Sequence, residues 1–325
     1  MHAWHLDQLG GSDFLNWREL KLKSLEPNQV RVRIEAAALN FLDTLMLEGR
    51  YQIKPALPFV PGVEMSGIVE EVGSASRLRV GSRVAAFAPT GAFATHIVLD
   101  QNACIALPNE IPATVAALLP IVYPTAYLAL HELAHLQAGD RVLVLAAAGG
   151  VGLAALQLAK AHGARVVGVA SEEKLSACLA EGADAAFGYA EDGAAEALKR
   201  WLKSENAEGF DVVVDMVGGA VALAAIRRLA WRGRYLSVGY ASAEIPAIPA
   251  NFLLLKQASA IGVFWGEHTR RDPAGTQRIL GALLKMLGAG QIRPNISKVY
   301  PMRELKHALA DLAARRTVGK VVVVN

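Results

Sequence analysis

A doubly wound parallel α/β sheet carried beside a small, irregular β-barrel is the architecture the sequence predicts, and three observations predict it. The 325 residues are 53% hydrophobic, 19% charged and 6% aromatic, a balance that favours parallel strands buried on both faces and a length that suits two domains. Between Asp140 and Val238 apolar strands alternate with helical runs of roughly ten residues, the pattern of a parallel sheet wrapped by helices. From Met1 to about Ala117 the apolar runs are short, alternate with charges and are broken by prolines at 55, 58, 61, 89, 108 and 112, which suits a small barrel rather than helices.

Taken in order, Val30–Ala36 alternates apolar and charged residues as a half-buried strand does, and Gly67–Gly73 and Arg83–Phe87 are further short strands. Asp140–Leu145 ends as a wholly apolar strand, and the helical run Leu153–His162 stops at Gly163. There follow strand Arg165–Val169, helix Glu172–Glu181, a strand near Ala185–Phe187, helix Ala194–Lys203 and strand Asp211–Asp215. Helix Ala220–Trp231 and strand Arg234–Val238 complete the series. The helical run Gln277–Leu287 and the strand Lys320–Val324 read as returning pieces of the first domain.

Composition also excludes. Thirty-three Lys and Arg against 30 Asp and Glu give a net charge of +3, too weak to predict nucleic-acid binding. Cys104 and Cys178 have no CxxC companion and build neither a disulfide framework nor a thiolate zinc site. The first residues lack the basic and apolar regions of a signal peptide, and no apolar run reaches transmembrane length, so a soluble, reduced, cytoplasmic protein is expected.

Ala146–Gly152 lies between an apolar strand and an amphipathic helix, the setting that makes a Gly-rich turn a phosphate cradle. Gly149 lets backbone approach a pyrophosphate, Gly152 lets helix pack on strand, and Gly150 and Val151 between them are counted with the cofactor-binding residues. Ala147 stands at the first glycine position, tolerable where that turn keeps φ negative. Amides and the helix dipole then face the anion. Where NAD-selective sites place an acid at the end of the second strand, this chain has Ala170 and Ser171, with Lys174 close by. A 2′-phosphate is welcomed by a hydroxyl and an ammonium, so NADPH is the cofactor expected. Glu172 and Glu173 are the objection; first-turn acids favour the helix dipole. Lys174 also reads as an ordinary exposed helix lysine.

On these residues the chain resembles the medium-chain dehydrogenase/reductase superfamily, and within it the zinc-independent, ζ-crystallin-like quinone oxidoreductases. Carriers of the resemblance are Asn40–Asp43, Pro61–Gly67, Tyr123–Tyr127, Ala146–Gly152, Asp211–Gly219 and Gly319–Val324. The resemblance implies a GroES-like β-barrel domain over residues 1–118 and 261–325, interrupted by a Rossmann NADP(H)-binding domain at 119–260. It implies a homodimer joined along a Rossmann edge strand, for which Ser259–Phe264 is the candidate. It further implies that Asn40 contacts nicotinamide or substrate, that Asp43 orders that loop, and that Tyr51 donates to a substrate oxygen. Thr125 would meet the nicotinamide amide, and Tyr189 would close over the adenosine phosphate beside Lys174. Gly239 and Tyr240 would skirt the dinucleotide, and Phe264 and Trp265 would lie near the nicotinamide. Plainer readings stand beside these: a capped turn for Asn40 and Asp43, loop packing for Tyr51, an ordinary helix threonine at 125 and a dimer core for the aromatic pair.

Zinc enzymes of the superfamily carry Cys near the Asn40 position and His beside the Glu64 position; here stand Asn40 and Val63, and no metal is expected. His131-Glu132-Leu133-Ala134-His135 spells H-E-x-x-H, which on a helix aligns two imidazoles, but a catalytic zinc needs a third protein ligand. A packed or solvated helix pair is the expectation there. Without a Lewis acid the acceptor must need little electrophilic help, as a small quinone does. Two alternatives remain: an enone or enoyl-thioester reductase, for which Tyr51 is the visible proton donor, and a non-enzymatic NADPH-binding protein.

Overall fold

A computed structural model of the chain describes residues 1–189, 193–205 and 208–325, without the side chain of residue 205. The residues fall into two compact units, one of Met1–Ile121 with Ile296–Asn325 and one of Val122–Asn295.

In the first unit β1 (His2–Leu6) and β2 (Leu15–Glu19) form an antiparallel ribbon. The main sheet contains β3 (Gln29–Ala38), β4 (Glu64–Val72), β5 (Arg83–Phe87), β6 (His96–Asp100) and β7 (Cys104–Ala106). The long strand β3 organises it. Along one edge β3 pairs with β4, and bulges at Arg31/Val32 and Ile34/Ala36 bend it there. Its other edge is shared: residues 29–33 take β6, and residues 36–38 take the final strand of the chain. One strand thus belongs to two walls, which curls the sheet around a core of Val30, Val32, Ile34, Met65, Val69, Phe93 and their neighbours.

The second unit holds a six-stranded parallel sheet of β8 (Arg141–Leu145), β9 (Arg165–Ser171), β10 (Ala185–Tyr189), β11 (Phe210–Asp215), β12 (Leu229–Ser237) and β13 (Ser259–Gly262). Their order is β10-β9-β8-β11-β12-β13. Numbered within the unit this is 3-2-1-4-5-6, whose order reverses between β8 and β11, where doubly wound sheets bind ligands beyond the strand ends. Val142, Leu143 and Val144 of β8 are inaccessible to solvent, as strands covered on both faces must be.

The chain returns to the first sheet as β14 (Ile296–Pro301) and β15 (Lys320–Val324), a parallel pair of which β15 lies antiparallel to β3. That return begins at Ile296 rather than 261. The segment between packs within the second unit: β13 pairs with β12, the helix Pro273–Gly288 rests on the helix Val122–Tyr127, and Arg293 N–H donates to Gln157 Oε1 at 2.8 Å. The helix expected over Ala220–Trp231 is also shorter, Gly219–Ile226. Leu229 instead pairs with Phe210 as the first residue of β12, and Lys256 Nζ binds the carbonyls of Arg227 and Leu229 across that turn. No described helix is long and apolar enough to cross a membrane.

Candidate active site

In the first unit the chain leaves β3 at Ala38, and Asn40, extended at φ −125° and ψ 152°, caps the helix Phe41–Leu47. Asn40 N–H donates to Asp43 Oδ2 at 2.7 Å, and Asp43 N–H donates to the Asn40 carbonyl at 3.0 Å, closing the first turn from both sides. Asn40 Nδ2 donates to Glu64 Oε1 at 2.9 Å and, longer, to the Ala38 carbonyl at 3.4 Å. Lys320, the first residue of β15, completes the group. Its ammonium donates to Glu64 Oε1 at 2.5 Å, the Leu39 carbonyl at 2.6 Å and Asn40 Oδ1 at 2.7 Å.

Asp43 and Glu64 are inaccessible, and Lys320 is 4% exposed. One cation and two carboxyl groups therefore share a space without water, where an unpaired charge is costly. Burial pushes both carboxyls up; the Lys320 ammonium and the Asn40 amide pull Glu64 back. For Asp43 burial wins, raising its pKa to about 7 against the Asn40 amide and Lys320. Asp43 Oδ1 also lacks a hydrogen-bond partner among the described residues. Lys320–Glu64 is thus the ion pair, and Asp43 is the group poised to take a proton near neutrality. Beside it the half-buried Tyr51 ring packs with Leu42 and Phe87 on Met46, Val63 and Ile121. Burial and the Asp43 charge push the Tyr51 phenol up, keeping it a donor.

The second unit builds its site from backbone. Ala146 turns left-handed at φ +53°, while Ala147, at the first glycine position, keeps negative φ and donates its N–H to the Val169 carbonyl at 2.9 Å. Gly149 caps the helix Gly150–Ala161. A Cβ on Gly152 would lie 2.3 Å from the Ala146 carbonyl oxygen and 2.6 Å from that of Ala147, so only glycine lets this helix sit on this turn. The amides at the start of the helix, Gly150, Val151 and Gly152, have no carbonyl within it to bind and face outward from the positive end of its dipole.

The other expected dinucleotide residues of this unit sit mostly at the carboxyl ends of the strands. Ser171 ends β9, and Tyr189, its register partner, ends β10. Gly239 and Tyr240 follow β12, and the Tyr240 phenol lies 3.0 Å from Ser237 Oγ. Lys174 ends the short turn Glu172–Lys174 after β9. Ser171 Oγ donates to Glu173 Oε1 at 2.5 Å, which holds that carboxylate below its usual range and places an acid beside the expected phosphate contacts. Phe264 and Trp265 part company: Phe264 is 52% exposed, whereas Trp265 is buried and stacks on His268. Thr125 is buried in the helix Val122–Tyr127.

The H-E-x-x-H run does not form one helical face. The helix widens to π geometry over Leu128–Leu133, and His135 lies beyond its end at φ +49°. His131 packs between Tyr127 and His162, at ring centroid distances of 4.3 and 5.0 Å. Burial and His162 lower its pKa to about 4. Among the described residues no three His, Cys, Asp or Glu side chains are grouped to hold a metal ion.

Comparison with known proteins places this arrangement. Residues 26–109 match the family described as alcohol dehydrogenase GroES-like domain, and residues 150–279 match zinc-binding dehydrogenase. A quinone oxidoreductase-like protein 2 homolog of Nematostella vectensis is 39% identical over 305 residues, 93% of this chain and 83% of the relative. The chain is a member of the quinone oxidoreductase-like branch of the medium-chain dehydrogenase/reductase superfamily. The quinone oxidoreductase of Thermus thermophilus, solved also in complex with NADPH, is 37% identical with a TM-score of 0.86, each chain covered completely. The enoyl reductase CurK is 27% identical with a TM-score of 0.87, covering 99% of this chain and 98% of its own.

Membership makes the chain an oxidoreductase. Sequence reasoning assigned no role to Glu64 or Lys320, although both lie inside motifs that carry the resemblance. They are 256 positions apart, and only the pairing of β3 with both β4 and β15 brings them together. The available signal was a lysine at the start of an otherwise wholly apolar strand, Lys320–Val324.

Proposed function

We propose that this oxidoreductase uses NADPH to reduce a small quinone without zinc. The observation that carries the reading is the Ala146–Gly152 turn, a cradle that a Cβ at Gly152 would fill, at the order reversal of the sheet. The residues fit a dinucleotide. Amides of Gly150, Val151 and Gly152 would hold its pyrophosphate, Ser171 and Lys174 its 2′-phosphate, and Tyr189, Gly239 and Tyr240 its flanks. Thr125, Phe264 and Trp265 would serve the nicotinamide end. NADPH, when bound, supplies the hydride. The chain's own work is to orient the acceptor, exclude water and meet developing negative charge with donors. Asn40 and Tyr51 are the donors for that charge, and Asp43 holds the Asn40 loop.

The residues do not fit the zinc that one family description implies. Val63 offers no ligand atom, Asn40 offers a carboxamide, and Glu64 Oε1 is already bound by the Lys320 ammonium. The same reading makes the chain a homodimer joined along β13. That strand ends the sheet, and the neighbouring Trp231, Leu254 and Leu255 stand well exposed, a poor arrangement for an edge left in water.

Likeness to an enoyl reductase supports a second reading, reduction of an enone or enoyl thioester with Tyr51 as proton donor. Loss of NADPH absorbance with ortho- and para-quinones, enones and a crotonyl thioester separates them. Quinone turnover by protein containing no stoichiometric zinc is expected. Turnover of thioesters alone would select the second reading, and tight NADPH binding with no turnover would make the protein a binder rather than an enzyme. Light scattering should give twice the chain mass, reduced to the monomer by Ala260→Pro; a monomeric wild type refutes the dimer.

A further inference from the structure

We infer that Lys320 is a positioning residue of the active site, its ammonium fixing which way the Asn40 carboxamide faces. The inference rests on the reading of Asn40 as an active-site donor. An ammonium has three hydrogens to donate, and each has an acceptor here: Glu64 Oε1 at 2.5 Å, the Leu39 carbonyl at 2.6 Å and Asn40 Oδ1 at 2.7 Å. The lysine is held by its strand. Val322, Val323 and Val324 pair with Ala38, Ala37 and Ala36, and Leu39 N–H donates to the Val321 carbonyl at 2.9 Å, which aligns the start of β15 with the Asn40 turn.

An asparagine carboxamide can turn over, exchanging its oxygen and nitrogen with little change of shape. Here the exchange is forbidden electrically. Oδ1 faces the ammonium and Nδ2 faces the Glu64 carboxylate at 2.9 Å. A turned amide would set its NH₂ against a cation and its oxygen against an anion, in surroundings where neither is screened. The ion pair therefore selects one orientation. In that orientation one Nδ2 hydrogen is fully used by Glu64, and the other has only the long 3.4 Å contact with the Ala38 carbonyl. That weakly engaged hydrogen is the donor left for a ligand. For stability alone such a pair is a poor choice, since buried ions can be replaced by apolar residues at little cost. Orientation of the amide gives it a function.

The test compares Lys320→Met, the double variant Lys320→Met/Glu64→Gln and Asn40→Ala, using NADPH and 1,4-naphthoquinone. Lys320→Met alone leaves a buried carboxylate unpaired and is expected to fold poorly; the double variant removes both charges and should regain the wild-type thermal midpoint. Its kcat should nonetheless stay about ten-fold low, with KM for NADPH unchanged, because nothing opposes turning of the amide. A double variant with wild-type kcat and a slow Asn40→Ala would overturn the role of Lys320 alone. Asn40→Ala with wild-type kcat would instead overturn Asn40 as an active-site donor. A readout independent of turnover is NMR of wild-type protein carrying 15N in its asparagine side chains, the Asn40 signal being the one lost in Asn40→Ala. Slow rotation and slow solvent exchange are expected for that amide; exchange as fast as that of exposed asparagines sinks the proposal.

Discussion

The two units build their candidate sites in opposite ways. In the second unit the Ala146–Gly152 turn is a backbone device: small residues bring amides and a helix terminus to one point, and every contact that shapes it comes from within a few residues or from the next strand. In the first unit the Asn40–Asp43–Glu64–Lys320 group is a side-chain device, assembled from a capped helix start and the first residues of two strands and held by charge in the absence of water. The difference teaches where each is vulnerable. A backbone cradle fails sterically and all at once, whereas a buried charge cluster fails gradually, with pH.

The largest effect should follow from Gly152→Ala. The added methyl would stand 2.3 Å from a backbone oxygen that cannot swing aside. Overpacking against backbone costs about 3 kcal/mol, so a fall in thermal midpoint is expected together with loss of NADPH binding by fluorescence titration. A variant that binds NADPH as the wild type does would show that the cradle is not what holds the dinucleotide.

Next comes the pH dependence of the charge cluster. Asp43 has a raised pKa of about 7 in the folded chain, so the folded state holds a proton that the unfolded state releases near pH 4. Its favourable contribution is complete below that lower pKa and is lost as pH rises through about 7, a loss of a few kcal/mol. Glu64, also raised, acts in the same direction. Asp43→Asn should therefore flatten the decline in stability between pH 4.5 and 8 without abolishing it, as read from guanidinium midpoints. Parallel curves for variant and wild type would mean that Asp43 does not titrate in this window.

The same contrast explains what could be read in advance. The tight Ala146–Gly152 turn was legible because its glycines, strand and helix are contiguous, and the steric demand at Gly152 belongs to local geometry. Asn40 and Asp43 were legible as a capped turn for the same reason. Lys320 was not, because its partners come from register, which no stretch of sequence near Gly319 contains. The helix expected over Ala220–Trp231 shows the same limit: Leu229-Ala230-Trp231 is apolar enough for either period, and pairing with Phe210 decides for strand. The segment after Ala260 looked like a return to the first unit because its helix has the ordinary amphipathic pattern, which does not name the surface that it covers.

Cofactor choice should show the smallest effects, and it sharpens the contrast because the residues involved are side chains at the rim of the backbone device. Lys174→Ala should weaken NADPH by about ten-fold while leaving NADH nearly unchanged, the size of one phosphate contact. Equal loss for both dinucleotides would refute a 2′-phosphate role. Glu173 should work against the same phosphate. Its carboxylate accepts from Ser171 Oγ at 2.5 Å and is held below its usual pKa by that bond, so a negative charge stands where a second one would arrive. Glu173→Gln keeps an acceptor for Ser171 and removes the charge. It should tighten NADPH two- to three-fold at low ionic strength, and the gain should fade toward 0.5 M salt, because exposed charges are screened over about a Debye length. A gain that persists in high salt would mean that Glu173 opposes NADPH by occupying the Ser171 hydroxyl rather than by its charge.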